Sequence, residues 1–256
     1  MLAHEYDTMR KVEDCHWWYR ALHGLVLGDL REALEKKAKA EVLDAGCGTG
    51  GLMERLRVVM PGWRLRGVDV FEEALAHTKA RGFEEVMKAS VESVPVEDES
   101  FDAVTSLDVL YHEGVDNGRA MRELVRVLKP GGVLILNLPA FASLSGRHDV
   151  AVSGVRRYRA SELRAMLVAE GLQVRHLHYW NAWLFFPVWC WRQWSGRRQD
   201  MVEKQEAGSA KSDLGLLPGW ANALLTGVTR LDMGFCRFFR WPFGISVYAV
   251  AVKPVD

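Results

Sequence analysis

Residues 42–51 read Val-Leu-Asp-Ala-Gly-Cys-Gly-Thr-Gly-Gly, a short apolar run breaking into four glycines. Glycine at these positions lets the backbone take positive φ and come close to a ligand. A helix beginning at the same place points its N-terminus at that ligand, which favours negative charge. Two cofactors suit such a turn. Gly46, Gly48 and Gly51 satisfy the G-x-G-x-x-G spacing of dinucleotide sites. Gly46, Gly48 and Gly50 after Asp44 also give D-x-G-x-G-x-G. Asp69, at the end of the next strand-like run, would bind ribose hydroxyls in either case. Asp44 separates them: a carboxylate beside the turn repels a pyrophosphate and attracts the ammonium of a methionine moiety.

The elements that must hold these residues alternate. Strand-like runs lie at 41–45, 65–70, 84–89, 101–107 and 132–138, with helical stretches at about 20–39, 50–58, 71–81, 116–128 and 161–170. Gly82 and Gly171 stand just past helices, where a left-handed residue is needed. Ser161 is a candidate N-cap, and Lys129-Pro130-Gly131-Gly132 reads as a helix stop and tight turn. This alternation predicts an α/β fold, a doubly wound sheet with helices on both faces. Two further strands, 172–179 and 244–252, are some sixty residues apart. The polar stretch 195–215 reads as a loop. Apolar side chains at Trp220, Leu224, Val228, Leu231, Phe235 and Phe238 give 219–240 helical spacing.

The chain has 256 residues, 49% of them apolar, which excludes a disordered or fibrous protein. Lys plus Arg and Asp plus Glu both number 33, so no bulk attraction to nucleic acid follows. Cys15, Cys47, Cys190 and Cys236 are scattered, without metal-site spacing or a disulfide framework. A reducing, cytoplasmic location is the expectation. The polar start carries no signal-peptide stretch, and no run of 18 apolar residues predicts a spanning helix.

From its motifs the chain resembles the class I S-adenosylmethionine-dependent methyltransferases over residues 41–136. VLDAGCGTG is similar to the family's first motif, and LRGVDV ends in the acid, Asp69, that binds ribose there. ASVESVPVEDESFDAV is similar to the segment that leaves the third strand; Ser90, followed by Val91, stands where the family often has an acid facing the adenine amino group. Ser106-Leu107-Asp108 resembles the fourth-strand segment facing the cofactor, and LVRVLKPGGVLIL the passage into the fifth strand. The resemblance implies S-adenosyl-L-methionine as cofactor and a seven-stranded, mostly parallel, Rossmann-like sheet. Its sixth and seventh strands would form a hairpin, the seventh antiparallel. Expected cofactor contacts are Tyr19, Arg20, Asp44, Gly46, Gly48, Asp69, Val70, Ser90, Val91 and Leu107. The expected organisation is a helical cap at 1–40, a cofactor-binding core at 41–180, a helical insertion at 181–243 and a final strand within 244–256.

The flanks speak to the acceptor. Glu13-Asp14-Cys15-His16-Trp17-Trp18-Tyr19-Arg20 resembles the opening of a bacterial subgroup of the family, which implies that Tyr19 and Arg20 reach the cofactor. Trp17 and Trp18 could equally pin the first helix to the sheet. His112, after Tyr111, falls where this fold borders the transferred methyl, so it is a candidate base or a structural histidine. Arg147-His148-Asp149 and Arg156-Arg157-Tyr158 resemble a further segment of the subgroup. His148 is a candidate base, Arg156 or Arg157 a candidate anion clamp, and Tyr111 and Tyr158 candidate acceptor contacts; a solvated basic loop is the other reading. His176 and His178 alternate on one strand without a third ligand, so no metal is expected.

Nine of the ten tryptophans lie at 17–18 or from 180 onward. The insertion thus predicts an aromatic surface: a lid over the acceptor, a homodimer face, or a peripheral contact with the inner membrane face through Arg192, Arg197 and Arg198. Packing wholly onto its own sheet is the plain alternative. The functional expectation is methyl transfer to a small acceptor, apolar or linked to a lipid or glycan. The alternatives are a nicotinamide-dependent oxidoreductase and a non-catalytic S-adenosylmethionine-binding protein.

Overall fold

The computed structural model describes residues 3–146, 149, 153–199, 217–239 and 241–255. Two helices come first, α1 (Ala3–Val12) and α2 (Trp17–Ala33). The core alternates from there: β1 (Glu41–Ala45), α3 (Gly51–Val59), β2 (Arg64–Asp69), α4 (Glu72–Ala80), β3 (Val86–Lys88), β4 (Phe101–Leu107), α5 (Asn117–Arg126), β5 (Leu128–Pro139), α6 (Ala160–Ala169) and β6 (Gln173–Trp180). Two helices, α7 (Ala182–Gln199) and α8 (Gly219–Phe238), stand between β6 and the last strand, β7 (Ser246–Val252). The sheet runs β3-β2-β1-β4-β5-β7-β6. β1 to β5 are parallel, and β7 is antiparallel to both neighbours. The predicted α/β class, the seven strands and the helical insertion between the last two are all present.

Alternation along the strands builds two cores. Val42 and Ile135 face one side, with Val26, Leu30 and Leu56 from α2 and α3. Their neighbours Leu43, Leu134 and Leu136 face the other, with Met121, Leu124, Leu163 and Leu167 from α5 and α6. A strand buried on both faces reads as a continuous apolar run, as 133–136 does.

Some boundaries differ from the sequence reading. β5 begins at Leu128 rather than at 132, because pairing continues through a bulge: Leu128 sits opposite Phe101, and the Gly131 N–H (φ 76°) donates to the Lys253 carbonyl. Ser161 is not an N-cap. α6 starts one residue earlier, and the Glu162 carboxylate accepts the Arg159 N–H (2.6 Å) in the manner of a capping box. Residues 195–199, read as loop, continue α7, and the rest of that stretch up to 216 lies outside the described residues. Gly82 and Gly171 do take positive φ, 87° and 75°.

Candidate functional site

β1 ends where the parallel register places Asp44 opposite Thr105 of β4 and Ala45 opposite Val68 of β2. The chain then turns. The Gly46 and Cys47 N–H groups both donate to the Val68 carbonyl, at 2.8 and 3.0 Å. Gly46 has φ 88°, and a Cβ there would lie 2.2 Å from Cγ2 of Val109, so the turn needs glycine twice over. α1 lies across this turn. Glu13, buried, accepts from the Thr49 hydroxyl and from Arg81 Nη2 (2.5 Å), while Arg81 Nε donates to the Thr49 carbonyl (2.7 Å). A Cβ on Gly51 would fall 2.3 Å from a Glu13 oxygen, so glycine there makes room for the latch.

Two carboxylates flank the turn. Asp44 is 5% exposed and accepts a hydrogen bond from the Thr105 hydroxyl (2.8 Å). Burial, reinforced by the charges of Asp69 and Glu13, pushes its carboxyl up to about 7 despite that hydroxyl. Asp69 ends β2, with Oδ2 accepting from the Gly48 N–H (3.0 Å) and Oδ1 from the Phe71 N–H (3.1 Å). Its carboxyl is raised too, by burial, though these backbone donors oppose the rise. Each oxygen keeps a lone pair for a ligand hydroxyl. A buried acid with one neutral donor is the partner a ligand ammonium needs.

A cavity of about 680 Å³ opens here, at the C-terminal ends of β1, β2 and β4. Asp44, Gly46, Gly48 and Asp69 line its floor, and Val70, Ser90, Val91 and Leu107 continue it. Tyr19, Tyr111 and His112 also face it. The His112 ring stands 4.3 Å from that of Tyr111. Trp17 and Trp18 line the cavity and also pin the cap: the Trp17 N–H donates to Asn222 Oδ1 of α8 (2.7 Å), and Trp18 stacks on Trp180 at 5.8 Å.

Three expected site residues are placed elsewhere. Arg20 is exposed and outside the lining, because one helical step past Tyr19 turns it about 100° toward solvent. Arg156 is exposed, outside the lining too, since alternation turns it away while its neighbour Arg157 faces in. Tyr158 is a buried strut: its hydroxyl donates to the Leu110 carbonyl (2.8 Å) and accepts from Asn117 Nδ2 (2.7 Å). His148 lies outside the described residues. Arg157 does line the cavity, but its guanidinium is forked onto Asp149 (2.9 and 3.1 Å) and donates to the Ala140 carbonyl (3.1 Å), so it is no open anion clamp. Arg192, expected to point at head groups, lines the cavity instead.

Asp108 was missed as a site residue. It sits just past β4 at φ 55°, a conformation that aspartate tolerates. The β4–β5 register puts Asn137 opposite Leu107, so the Asn137 amide reaches both Asp108 oxygens (3.1 and 3.0 Å). Trp180 Nε1 fixes that amide by donating to Asn137 Oδ1 (2.8 Å). Burial pushes the Asp108 carboxyl up to about 7, opposed by Asn137 and by the charge of Arg157. The Ser106-Leu107-Asp108 resemblance puts it beside the cofactor, but nothing local shows its burial or its partner Asn137, which stands 29 residues away.

A family described as a methyltransferase domain matches residues 43–136. A probable S-adenosylmethionine-dependent methyltransferase of Mycobacterium tuberculosis is 31% identical over 159 residues, 61% of this chain and 56% of the relative. The chain thus spans little more than half the length of that relative. The demethylmenaquinone methyltransferase of Thermus thermophilus is 35% identical over 210 residues, 68% of this chain and 91% of the relative. Among solved structures, a putative sarcosine dimethylglycine methyltransferase from Galdieria sulphuraria has the same fold, with a TM-score of 0.57 at 16% identity over 92% of this chain and 86% of that one. The buried acids and glycine turn suit the family's methionine-bearing cofactor. The chain belongs to the class I S-adenosylmethionine-dependent methyltransferases, and S-adenosylmethionine is its cofactor.

Proposed function

We propose that this chain transfers a methyl group to a small acceptor that is apolar or linked to a lipid or glycan. The observation that carries the reading is the two-sided character of the cavity. Asp44 and Asp69 stand at one end, while Leu144, Leu184, Val188, Leu217 and Ile245 line it from the segment after β5, from α7 and from the approaches to α8 and β7. Bound S-adenosylmethionine supplies a methyl on a positively charged sulfur, so the leaving group is already activated. The protein's task is to align an acceptor atom and keep water away. Asp44 would hold the ammonium and Asp69 the ribose hydroxyls. Val70, Ser90 and Val91 would border the adenine. The relative's name, demethylmenaquinone methyltransferase, supports an apolar acceptor of the quinone kind.

An oxygen or nitrogen acceptor has a proton to lose. Asp108 and His112 both line this wall and could take it, and a carboxyl near 7 is well matched to the task. The test is incubation of the purified protein with methyl-labelled S-adenosylmethionine and a lipid-plus-sugar extract of its host. Label is expected in the organic-soluble or lipid-linked sugar fraction. Asp108→Asn or His112→Gln should lower turnover on the same acceptor by 100-fold or more, on the order of general-base catalysis, with donor affinity unchanged. Label confined to free water-soluble products, or no transfer despite tight donor binding, would sink the reading.

A further inference from the structure

α8 presents the wrong face to water. Toward the body it turns Asn222, Thr226, Thr229, Met233 and Cys236, spaced three and four apart and mostly buried. Toward solvent it turns Trp220, Leu224, Leu231 and Phe235, which are 74%, 59%, 66% and 64% exposed. A surface helix of a globular protein does the reverse. α7 is built alike. A single line of Leu184, Val188 and Arg192 faces the cavity, and Phe186, Trp189, Trp191 and Trp194 stand exposed around it. The two helices are joined by rings in contact: Phe239 to Trp241 at 5.7 Å, Trp241 to Phe243 at 5.7 Å and Phe243 to Phe186 at 5.1 Å. These exposed side chains and the linking rings together make an aromatic belt.

We propose that this belt seats the protein on the surface of an anionic lipid bilayer, with α7 as the partition between the lipid and the cavity. No helix among the described residues is long and apolar enough to cross a membrane, so the belt would lie in the interface. Indole suits that layer, being apolar in body and polar at its N–H. Charge selects the occupant. With Arg192 turned to the cavity, the two helices still hold four arginines (Arg197, Arg198, Arg230 and Arg237) against one acid, Asp232, a surplus of three positive charges in a chain that is neutral overall. A second copy across a two-fold axis would set that surplus against itself, whereas anionic head groups complement it. The seat stands apart from the chemistry. The access it gives, for an acceptor moving from lipid past α7 into the cavity, rests on the reading proposed above.

The test is co-sedimentation of the full chain with vesicles of phosphatidylcholine alone and of phosphatidylcholine mixed with phosphatidylglycerol. Binding is expected to the mixed vesicles, and to weaken with added salt. The double substitution Trp191→Ser/Trp194→Ser should lower the partition coefficient at least tenfold, a modest share of what burying two large aromatics yields. S-adenosylhomocysteine affinity, measured by calorimetry on the same variant, should stay unchanged and so report that the chain is folded. A chain that stays in the supernatant with every vesicle overturns the seat. So does a dimer, seen by analytical ultracentrifugation, that these substitutions dissolve without any effect on lipid. Vesicle binding with no methylation of any extract would sink the proposed acceptor and leave the seat standing. Methylation with no vesicle binding would do the opposite.

Discussion

Asp44 gives the sharpest test of how the donor is held. Asp44→Asn keeps the shape, and the new amide oxygen can still accept from the Thr105 hydroxyl, which now makes a 2.8 Å bond to the acid. Only the charge is lost. A ligand ammonium buried against a neutral amide should lose about 3 kcal/mol, roughly 150-fold in Kd at pH 8. The pH dependence is more diagnostic than the loss. Burial puts the free Asp44 carboxyl at about 7, so it is mostly ionised at pH 8 and mostly protonated at pH 6. Donor Kd in the native chain should therefore weaken about tenfold between those values, and Asp44→Asn should abolish that slope. Asp108 titrates in the same range, so Asp108→Asn serves as the control and should keep it. Stability moves the other way. The folded chain binds this proton more tightly than the unfolded one does, so the contribution is full below the ordinary 3.8 and is lost as pH rises through about 7. Asp44→Asn carries no such charge. It should stabilise the donor-free chain at pH 8, by at most about 4 kcal/mol, and the gain should vanish toward pH 4. Isothermal calorimetry with S-adenosylhomocysteine and thermal unfolding at the two pH values read both effects. A variant that binds within threefold of the native chain, or keeps the pH slope, refutes the placement of the ammonium.

Asp69→Ala removes the proposed ribose contacts and also strips the Gly48 N–H of its acceptor. Donor affinity should fall by about 2 kcal/mol, and an unchanged Kd would overturn the ribose placement. Gly46→Ala pushes a methyl into Val109 at a backbone φ of 88°. It should cost roughly 2–4 kcal/mol of stability, read as a lowered Tm. Val109→Ala in the same chain should restore only the part due to the clash, and full restoration would show that the backbone conformation costs nothing.

The sequence discloses the donor end of the site far better than the acceptor end, for a physical reason. The glycine turn, Asp44 and Asp69 are contiguous with the strands that position them, so local spacing carries their geometry. Asp108 depends on Asn137 and Trp180 of other strands, and Glu13 on Thr49 and Arg81. These are pairings that exist only after folding. Tyr158 shows the converse: an aromatic beside two arginines reads as a binding residue, yet its hydroxyl ties Leu110 to Asn117. In α8 the period was legible and the direction was not. Helical spacing tells which residues share a face, and only the structure tells that Trp220, Leu224, Leu231 and Phe235 face outward while Thr226 and Thr229 face in.

Electrostatics also bear on the choice between the two cofactors that the glycine spacing admits. Glu13 is matched by Arg81. Among the described residues, the hydrogen-bond donors to Asp44 and Asp69 are neutral, among them the Thr105 hydroxyl and the Gly48 and Phe71 amides. Each carboxyl is raised by burial, and Asp69 raises Asp44 further. The donor end therefore stores repulsion that a cation relieves. A pyrophosphate placed on the same turn would add to it, and the helix N-terminus of α3 would offset that by up to about 2 kcal/mol in a partly buried site. A ligand with an ammonium at one end and a pair of hydroxyls at the other meets both carboxylates with the groups each lacks. The glycines admit either cofactor, and the pair of unmatched aspartates is what favours the sulfonium amino acid over the dinucleotide.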